Sequence, residues 1–323
     1  MSEDQIFLAI RPPKGELSYY RSVSASSLYF HFSNWEQDQQ LKIAVERIGD
    51  HELEKDFAFY KKPSQPSVKY EDQIKLYQAA INEMKKGDLN KVVLSRNENL
   101  RFDQSPFVLF NSLAAAYPNA AVYIFSHPEV GTWLGASPET LVSWTSSEIV
   151  IDSLAGTKTW SQRTSFTEKE YDEQAQVSEE IEALLKNTEG LVQVKKQGPQ
   201  ILKAGNLAHL HSEYRAAISA RFDFKNFLKK LHPTPAVGGR PRKKALEFIA
   251  SNELYRRRFY TGFFGFESSE AGQFWVNLRC AELCEDNILS LYLGGGLTHK
   301  SDPQSEWQET EAKAGTILNV LKS

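Results

Sequence analysis

Only two cysteines, Cys280 and Cys284, occur in 323 residues, which excludes a disulfide framework and leaves a cysteine-held zinc site without its partners. Both are expected as reduced thiols on a strand. No stretch approaches the ~20 consecutive apolar residues of a membrane span. The first residues, Met1-Ser-Glu-Asp-Gln, lack the basic-then-apolar pattern of a secretory leader, so a cytoplasmic protein with no membrane association is the expectation. Charge of one sign is not in excess either. With 38 Lys and Arg against 41 Asp and Glu the formal net charge is -3, so no global field draws the chain to nucleic acid or anionic lipid, and a small anionic substrate would need a local basic pocket. Also missing are a phosphate loop, a dinucleotide fingerprint, an HExxH metalloprotease motif, a nucleophile elbow, a basic stripe interleaved with aromatics, and any internal repeat.

What is present is an ordinary globular composition, 41% apolar and 12% aromatic, enough for a substantial core. Aromatic and β-branched runs at Gln5 to Ile10, Leu17 to Val23 and Ser27 to Phe32 predict a β-rich opening. The proline-bearing stretch Lys61 to Ser67 reads as a short linker. A helix with Ile74, Tyr77, Ile81 and Met84 on one face should close at Gly87. Lys91-Val-Val-Leu-Ser-Arg96 reads as a strand; its alternation puts Lys91, Val93 and Ser95 on one side, and a lysine at a strand's start more often marks an exposed end. Glu139 follows Pro138 at a bend, and Ala155-Gly-Thr157 is a small-residue turn where backbone could face a ligand. In the helix from about Ser165 to Lys186, Glu173 lies four residues before Val177 on the apolar stripe and so points inward, unless the stripe frays there. A buried glutamate needs a cation, a metal or a proton. His232, among apolar and proline neighbours, suits a structural histidine as well as a functional one. Pro241 starts a further helix, and Tyr260 to Phe266 with Phe274 to Leu283 resemble paired strands.

The stretch from Leu293 to Lys313 combines three consecutive glycines, Gly294, Gly295 and Gly296, with an acidic helix start. Ser305 and Gln308 match a capping box. Glu306, Glu309 and Lys313 fall at i, i+3 and i+7, so two carboxylates and one ammonium project from one face and could hold a hard cation and an anion together. The same spacing also suits a solvated helix with a Glu309–Lys313 ion pair.

Taken in order, Lys91-Val-Val-Leu-Ser-Arg, Gly135-Ala-Ser-Pro-Glu, Leu154-Ala-Gly-Thr, Leu231-His-Pro-Thr-Pro-Ala, Leu278-Arg-Cys-Ala, Gly294-Gly-Gly-Leu and Glu306-Trp-Gln-Glu-Thr resemble the motifs of the chorismate-utilising enzymes. That family comprises isochorismate synthase, anthranilate synthase component I, aminodeoxychorismate synthase component I and salicylate synthase, and the isochorismate-forming members are the nearest in motif. The resemblance implies an α+β fold with a two-layered antiparallel β-sheet core flanked by helices. It implies one chorismate-binding domain over 1–323, of which 1–65 is a divergent β-rich part and 66–323 carries the motifs. It makes Lys91 the base that activates water and Glu139 the acid that protonates the departing hydroxyl. Glu173 and Glu309 become Mg²⁺ ligands, with Glu306 beside them through water. Thr157, Arg279, Gly294 and Lys313 become contacts to the substrate's carboxylates, and His232 faces the ring. Gln174 stands where relatives often have histidine. The implied activity is conversion of chorismate to isochorismate, for menaquinone or siderophore synthesis, by a monomer or weak homo-oligomer without nucleic-acid partners. A salicylate synthase and a non-catalytic chorismate-binding homologue are the alternatives.

Overall fold

The computed structural model describes residues 6–49, 59–163, 165–204 and 207–321; within these, the side chains of residues 157, 159, 169, 204 and 207 lie outside the description. Gln5, where the opening strand was expected to begin, also lies outside it. Four strands, β1 (Phe7–Arg11), β2 (Ser18–Ser22), β3 (Tyr29–Ser33) and β4 (Gln40–Ile48), precede helix α1 (Tyr70–Lys86). Then come β5 (Lys91–Arg101), α2 (Pro106–Ala116), β6 (Ala121–His127), β7 (Gly131–Ser137), β8 (Thr140–Thr145), β9 (Glu148–Thr159) and α3 (Glu168–Lys186). The hairpin β10 (Leu191–Ala204) and β11 (Leu207–Ile218) leads to α4 (Phe224–Leu231), β12 (Gly239–Arg240) and α5 (Arg242–Asn252). The chain ends with β13 (Phe263–Glu267), β14 (Ala271–Val276), β15 (Cys280–Cys284), β16 (Ile288–Thr298) and α6 (Pro303–Leu321).

The strands pair antiparallel in the order β10-β11-β9-β8-β14-β13-β3-β4-β2-β1-β6-β7-β15-β16-β5-β12. This run divides into two layers joined by β4, whose first half pairs with β3 (Phe30↔Ile43) and second half with β2 (Tyr20↔Arg47). Aromatic side chains from both layers meet between them. The Phe32 ring lies 5.0 Å from Phe125 of one layer, and Tyr123 lies 4.2 Å from Phe264 of the other. Offset and tilted aromatic pairs of this kind add packing energy beyond the area they bury. The α+β fold with a two-layered antiparallel core is thus the fold observed.

Helices cover the outer faces. Leu76, Tyr77 and Ile81 of α1 pack with Ala245 and Ile249 of α5 onto Val92, Leu94 and Leu297, while α3 lays Val177, Ile181 and Leu185 on the β9 and β11 layer. Their ends follow the sequence. Gly87 closes α1 in the left-handed region at φ 99° with its N–H donating to Met84 O, Ser105 caps α2 with Pro106 in the first turn, and Thr167 and Glu170 form a capping box on α3.

Several expectations need correction. The cap of α6 is Asp302, whose carboxylate accepts from the backbone N–H and the hydroxyl of Ser305; Ser305 is therefore inside the first turn. A carboxylate one residue before the starting proline competes better for those donors than a hydroxyl within the helix. The three glycines lie within β16, paired with β5 from Leu293↔Arg96 to Leu297↔Val92. Ala155-Gly-Thr157 is no turn either: Gly156, at φ 66°, is the extra residue of a β-bulge in β9 where His209 pairs with Thr157 and Leu210 with Ala155. Lys61 to Ser67 is tied down, with Gln65 bonded to Arg256 and its carbonyl to Asn97. The apolar run Phe274 to Leu283 is broken into β14 and β15, which belong to different layers, so Asn277 to Arg279 carries the chain from one layer to the other. Both cysteines are buried on β15 and free.

Candidate active site

The passage between layers opens a pocket walled by β5, the β7–β8 connection, β9, β11, β16, α3 and α6. Glu139, Glu173, Arg279, Gly294, Glu309 and Lys313 all line it, so the structure brings together residues spread over most of the sequence. Two lining residues, Thr261 at φ 58° and Arg279 at φ 49°, hold left-handed backbone without being glycine. Such conformations cost on the order of 1–3 kcal/mol and persist where surrounding contacts over-determine them, which is common at functional sites.

Lys91 starts β5 but is fully buried, because β12 and β16 flank it and α3 covers it. The expectation of an exposed strand end fails for that reason. Its Nζ stands 2.9 Å from Glu173 Oε1, just behind the pocket wall. Glu173 therefore does point inward. Gly296 lies between the two: a Cβ there would come within 2.5 Å of Glu173 Oε1 and 3.2 Å of Lys91 Cε. The glycine leaves the room that this ion pair fills.

Glu139 is buried at the end of β7, its backbone carbonyl accepting from Val276 N–H. Burial pushes its carboxyl up to about 8, the negative charge of Asp152 adds to this, and Lys91 opposes it. It is an acid that still holds its proton at neutral pH.

On α6, Lys313 Nζ lies 2.7 Å from Glu309 Oε1 and donates to the carbonyl of Gly294 at 2.8 Å. The surface ion pair foreseen as one option exists, but at the pocket rather than in solvent. Glu306, one turn earlier, is buried. A Cβ on Gly295 would sit 3.5 Å from Glu306 Oε2 and 4.0 Å from Glu309 Oε1, so that glycine keeps a small space open beneath two carboxylates. Arg279 donates to Thr316 Oγ1 at 3.1 Å and lies 3.4 Å from His209 Nε2. Burial, then the charges of Arg279 and Lys313, hold His209 well below its usual range, so it is neutral here.

Two expected residues stand apart. The side chain of Thr157 lies outside the described residues; its backbone is placed on β9 opposite His209. His232 is fully buried but is not in the pocket lining, and its ring packs edge-on to Phe263 at 5.3 Å. Burial and Arg242 push it down to about 3, so it is a neutral ring behind the wall. Gln174 donates to Ser153 and Ser212 of β9 and β11. It ties α3 to the sheet and fixes the neighbouring Glu173.

Sequence reasoning missed His209, Tyr260 and Tyr292 in the lining. Tyr260 Oη would be 2.7 Å from a Cβ on Gly294. None of the three carries a local sequence pattern that sets a pocket residue apart from a packed one.

The donor set suits a hard cation. It is all carboxylate oxygen, with a glycine cradle at Gly295 beneath Glu306 and Glu309. Among the described residues no three His, Cys, Asp or Glu side chains converge closely enough to cage an ion, and Lys91 and Lys313 each hold one carboxylate in this state. An incomplete oxygen set of this kind fits Mg²⁺, which is commonly held by one or two carboxylates with waters and substrate oxygens completing it.

Fold and site together define an enzyme-type cleft with two cations and a buried acid in its lining and a lysine–glutamate pair at its wall. Residues 26–322 match the family model for chorismate binding enzymes, and the chain belongs to that family. It is 32% identical over 293 residues to the isochorismate synthase DhbC of Bacillus subtilis, covering 84% of this chain and 73% of that protein. It is 30% identical over 246 residues to the isochorismate synthase EntC of Escherichia coli K12, covering 72% and 62%. The chain spans between 42% and 73% of the length of the first curated relatives it matches. The solved structure of MenF, the menaquinone-specific isochorismate synthase of Escherichia coli, superposes with a TM-score of 0.81 at 21% identity, covering 99% of this chain and 89% of that one.

Proposed function

We propose that the chain is an isochorismate synthase, an isomerase that moves a hydroxyl on chorismate by adding water at C2 and expelling the hydroxyl at C4. The observation that carries this reading is Glu139, a pocket carboxyl held protonated near neutral pH. A departing hydroxyl is a poor leaving group, and a general acid whose pKa lies close to the working pH is what its departure needs.

Arg279 and Lys313 bind the substrate's two carboxylates, and the neutral His209 beside Arg279 adds a hydrogen-bonding group without competing charge. Glu139 gives its proton to the C4 oxygen. Lys91, paired with Glu173 at rest, takes the proton from the attacking water once it has given up its own. Ala155 lines the pocket where aminodeoxychorismate synthase carries an attacking lysine, so the side chain there offers no nucleophile and water must serve. Mg²⁺ would be held by Glu173 and Glu309, with Glu306 beside them through water, and when bound it neutralises and orients a substrate carboxylate. The whole chain acts as one domain, in the cytoplasm, as a monomer or weak homo-oligomer, with its product serving menaquinone or siderophore synthesis. In support of one domain, β3 and β4 of the N-terminal part lie inside the strand order, between β13 and β2. No helix among the described residues is long and apolar enough to cross a membrane.

The test is incubation with chorismate and a magnesium salt, followed by chromatography. Isochorismate as the product, approached from either side of the equilibrium, supports the reading. Salicylate with pyruvate points to the lyase alternative, and unchanged chorismate that nonetheless binds points to a non-catalytic homologue.

A further inference from the structure

Outside the pocket, on the far side of Arg279, lies a second cavity of about 240 Å³. It is bounded by the α2–β6 turn at Tyr117 to Asn119, by Pro138, by Lys203 near the tip of the β10–β11 hairpin, and by Thr316 of α6. Pro138 and Arg279 line both spaces. The Arg279 guanidinium makes the partition: one nitrogen donates to Thr316 in the outer cavity and the other faces His209 in the inner pocket. The inner pocket alone, about 70 Å³, falls well short of the roughly 300 Å³ at which small-molecule sites begin; taken with the outer cavity it reaches that size.

The outer cavity is also built for an anion. Its described lining holds two cations, Arg279 and Lys203, and no Asp or Glu. Lys203 is exposed and its Nζ stands 4.9 Å over the ring of Trp160, which Arg163 meets at 4.8 Å. The aromatic ring positions the ammonium without neutralising it, as a carboxylate partner would. Against a chain whose net charge is -3, this sets positive side chains around a cavity that shares Pro138 and Arg279 with the inner pocket.

We propose that the outer cavity is a capture site for a small dicarboxylate, in which Lys203 draws the anion in and Arg279 receives it and passes it to the inner pocket. The inference rests on the proposed function only for the identity of the dianion, chorismate. Lys203 is a recruiting residue that acts on arrival and not on the chemical step.

The experiment is stopped-flow association of chorismate with the full chain, read by quenching of tryptophan fluorescence, for wild type, Lys203→Glu and Lys225→Glu over a range of salt. Lys225 is exposed on α4 and lines neither cavity, so it makes the same change in net charge elsewhere. Lys203→Glu should lower the association rate about five-fold at low ionic strength, with the gap closing as salt screens it. Lys225→Glu should change it far less. Equal losses in the two variants would reduce the effect to net charge and overturn the proposal, as would a wild-type association rate in Lys203→Glu at low salt. If wild type binds chorismate without turning it over, the activity reading fails while the association rates still decide the capture site. If it turns chorismate over and Lys203→Glu associates normally, the capture site alone fails.

Discussion

Lys91 Nζ and Glu173 Oε1, 82 positions apart in the chain, stand 2.9 Å from each other, with the lysine fully buried and the glutamate side chain 14% exposed. Neither tolerates the loss of the other: removing one partner of a buried pair leaves an uncompensated charge and costs on the order of 3 kcal/mol. Glu173→Gln should therefore lower the melting temperature by several degrees. The double variant Lys91→Met with Glu173→Gln, which removes both charges, should recover most of that loss. Thermal denaturation of the three proteins checks this, and a double variant less stable than the single one would contradict the pairing.

Glu139 makes a pH prediction. With its carboxyl pushed up to about 8, the rate of a step that needs its proton should be flat through neutral pH and fall about tenfold per unit above 8. Stability follows the same sign. The folded state holds this proton more tightly than the unfolded chain, whose carboxyl titrates near 4.3, so the contribution is complete below that value and is lost as pH rises through about 8. Glu139→Gln should abolish most of the turnover. Its melting temperature should also gain on wild type between pH 5 and pH 9, and a constant difference across that range would argue against the raised pKa.

Gly295 and Gly296 separate two roles for glycine. Gly296→Ala places a methyl group on Glu173 Oε1 and should cost both activity and stability. Gly295→Ala meets only ordinary contacts, the nearest at 3.5 Å, so the fold should survive with a stability change of about 1 kcal/mol or less. The methyl would fill the space beneath Glu306 and Glu309. Magnesium affinity, measured by calorimetry on the protein alone, should fall for Gly295→Ala, and an unchanged affinity would remove that cradle from the metal site.

Arg279 and Lys313 should act on binding. Lys313→Met leaves Glu309 without its ammonium and the Gly294 carbonyl without a donor, and should raise KM for chorismate at least tenfold with a smaller effect on kcat. A larger effect on kcat than on KM would place Lys313 in the chemical step instead.

Much of this site could be read from the sequence, and the failures share a cause. Glu173 was legible because helical periodicity fixes which way a side chain points relative to an apolar stripe, and Glu306, Glu309 and Lys313 for the same reason. Lys91 was misjudged as an exposed strand end because burial of a strand's start depends on β12 and β16, which are distant in sequence. The glycine run gave no sign of lying within a strand, because strand glycines are rare and what excludes a Cβ at Gly296 is a carboxylate from another element. Arg279 falls inside the run Phe274 to Leu283 read as one strand, and its place at a crossing between layers was hidden because hydrophobic alternation continues across Asn277 without a break. His209 and Tyr260 carried no local pattern that separates a pocket residue from a packed one.

The central claim, that water enters at C2 while the C4 hydroxyl leaves, is tested most directly by running the reaction in water enriched in oxygen-18 and weighing the product by mass spectrometry. The account predicts isochorismate carrying one solvent oxygen at C2, and no such product from Lys91→Ala. Unlabelled isochorismate, which would require the original hydroxyl to migrate without exchange, or a label that persists at full rate in Lys91→Ala, would contradict it.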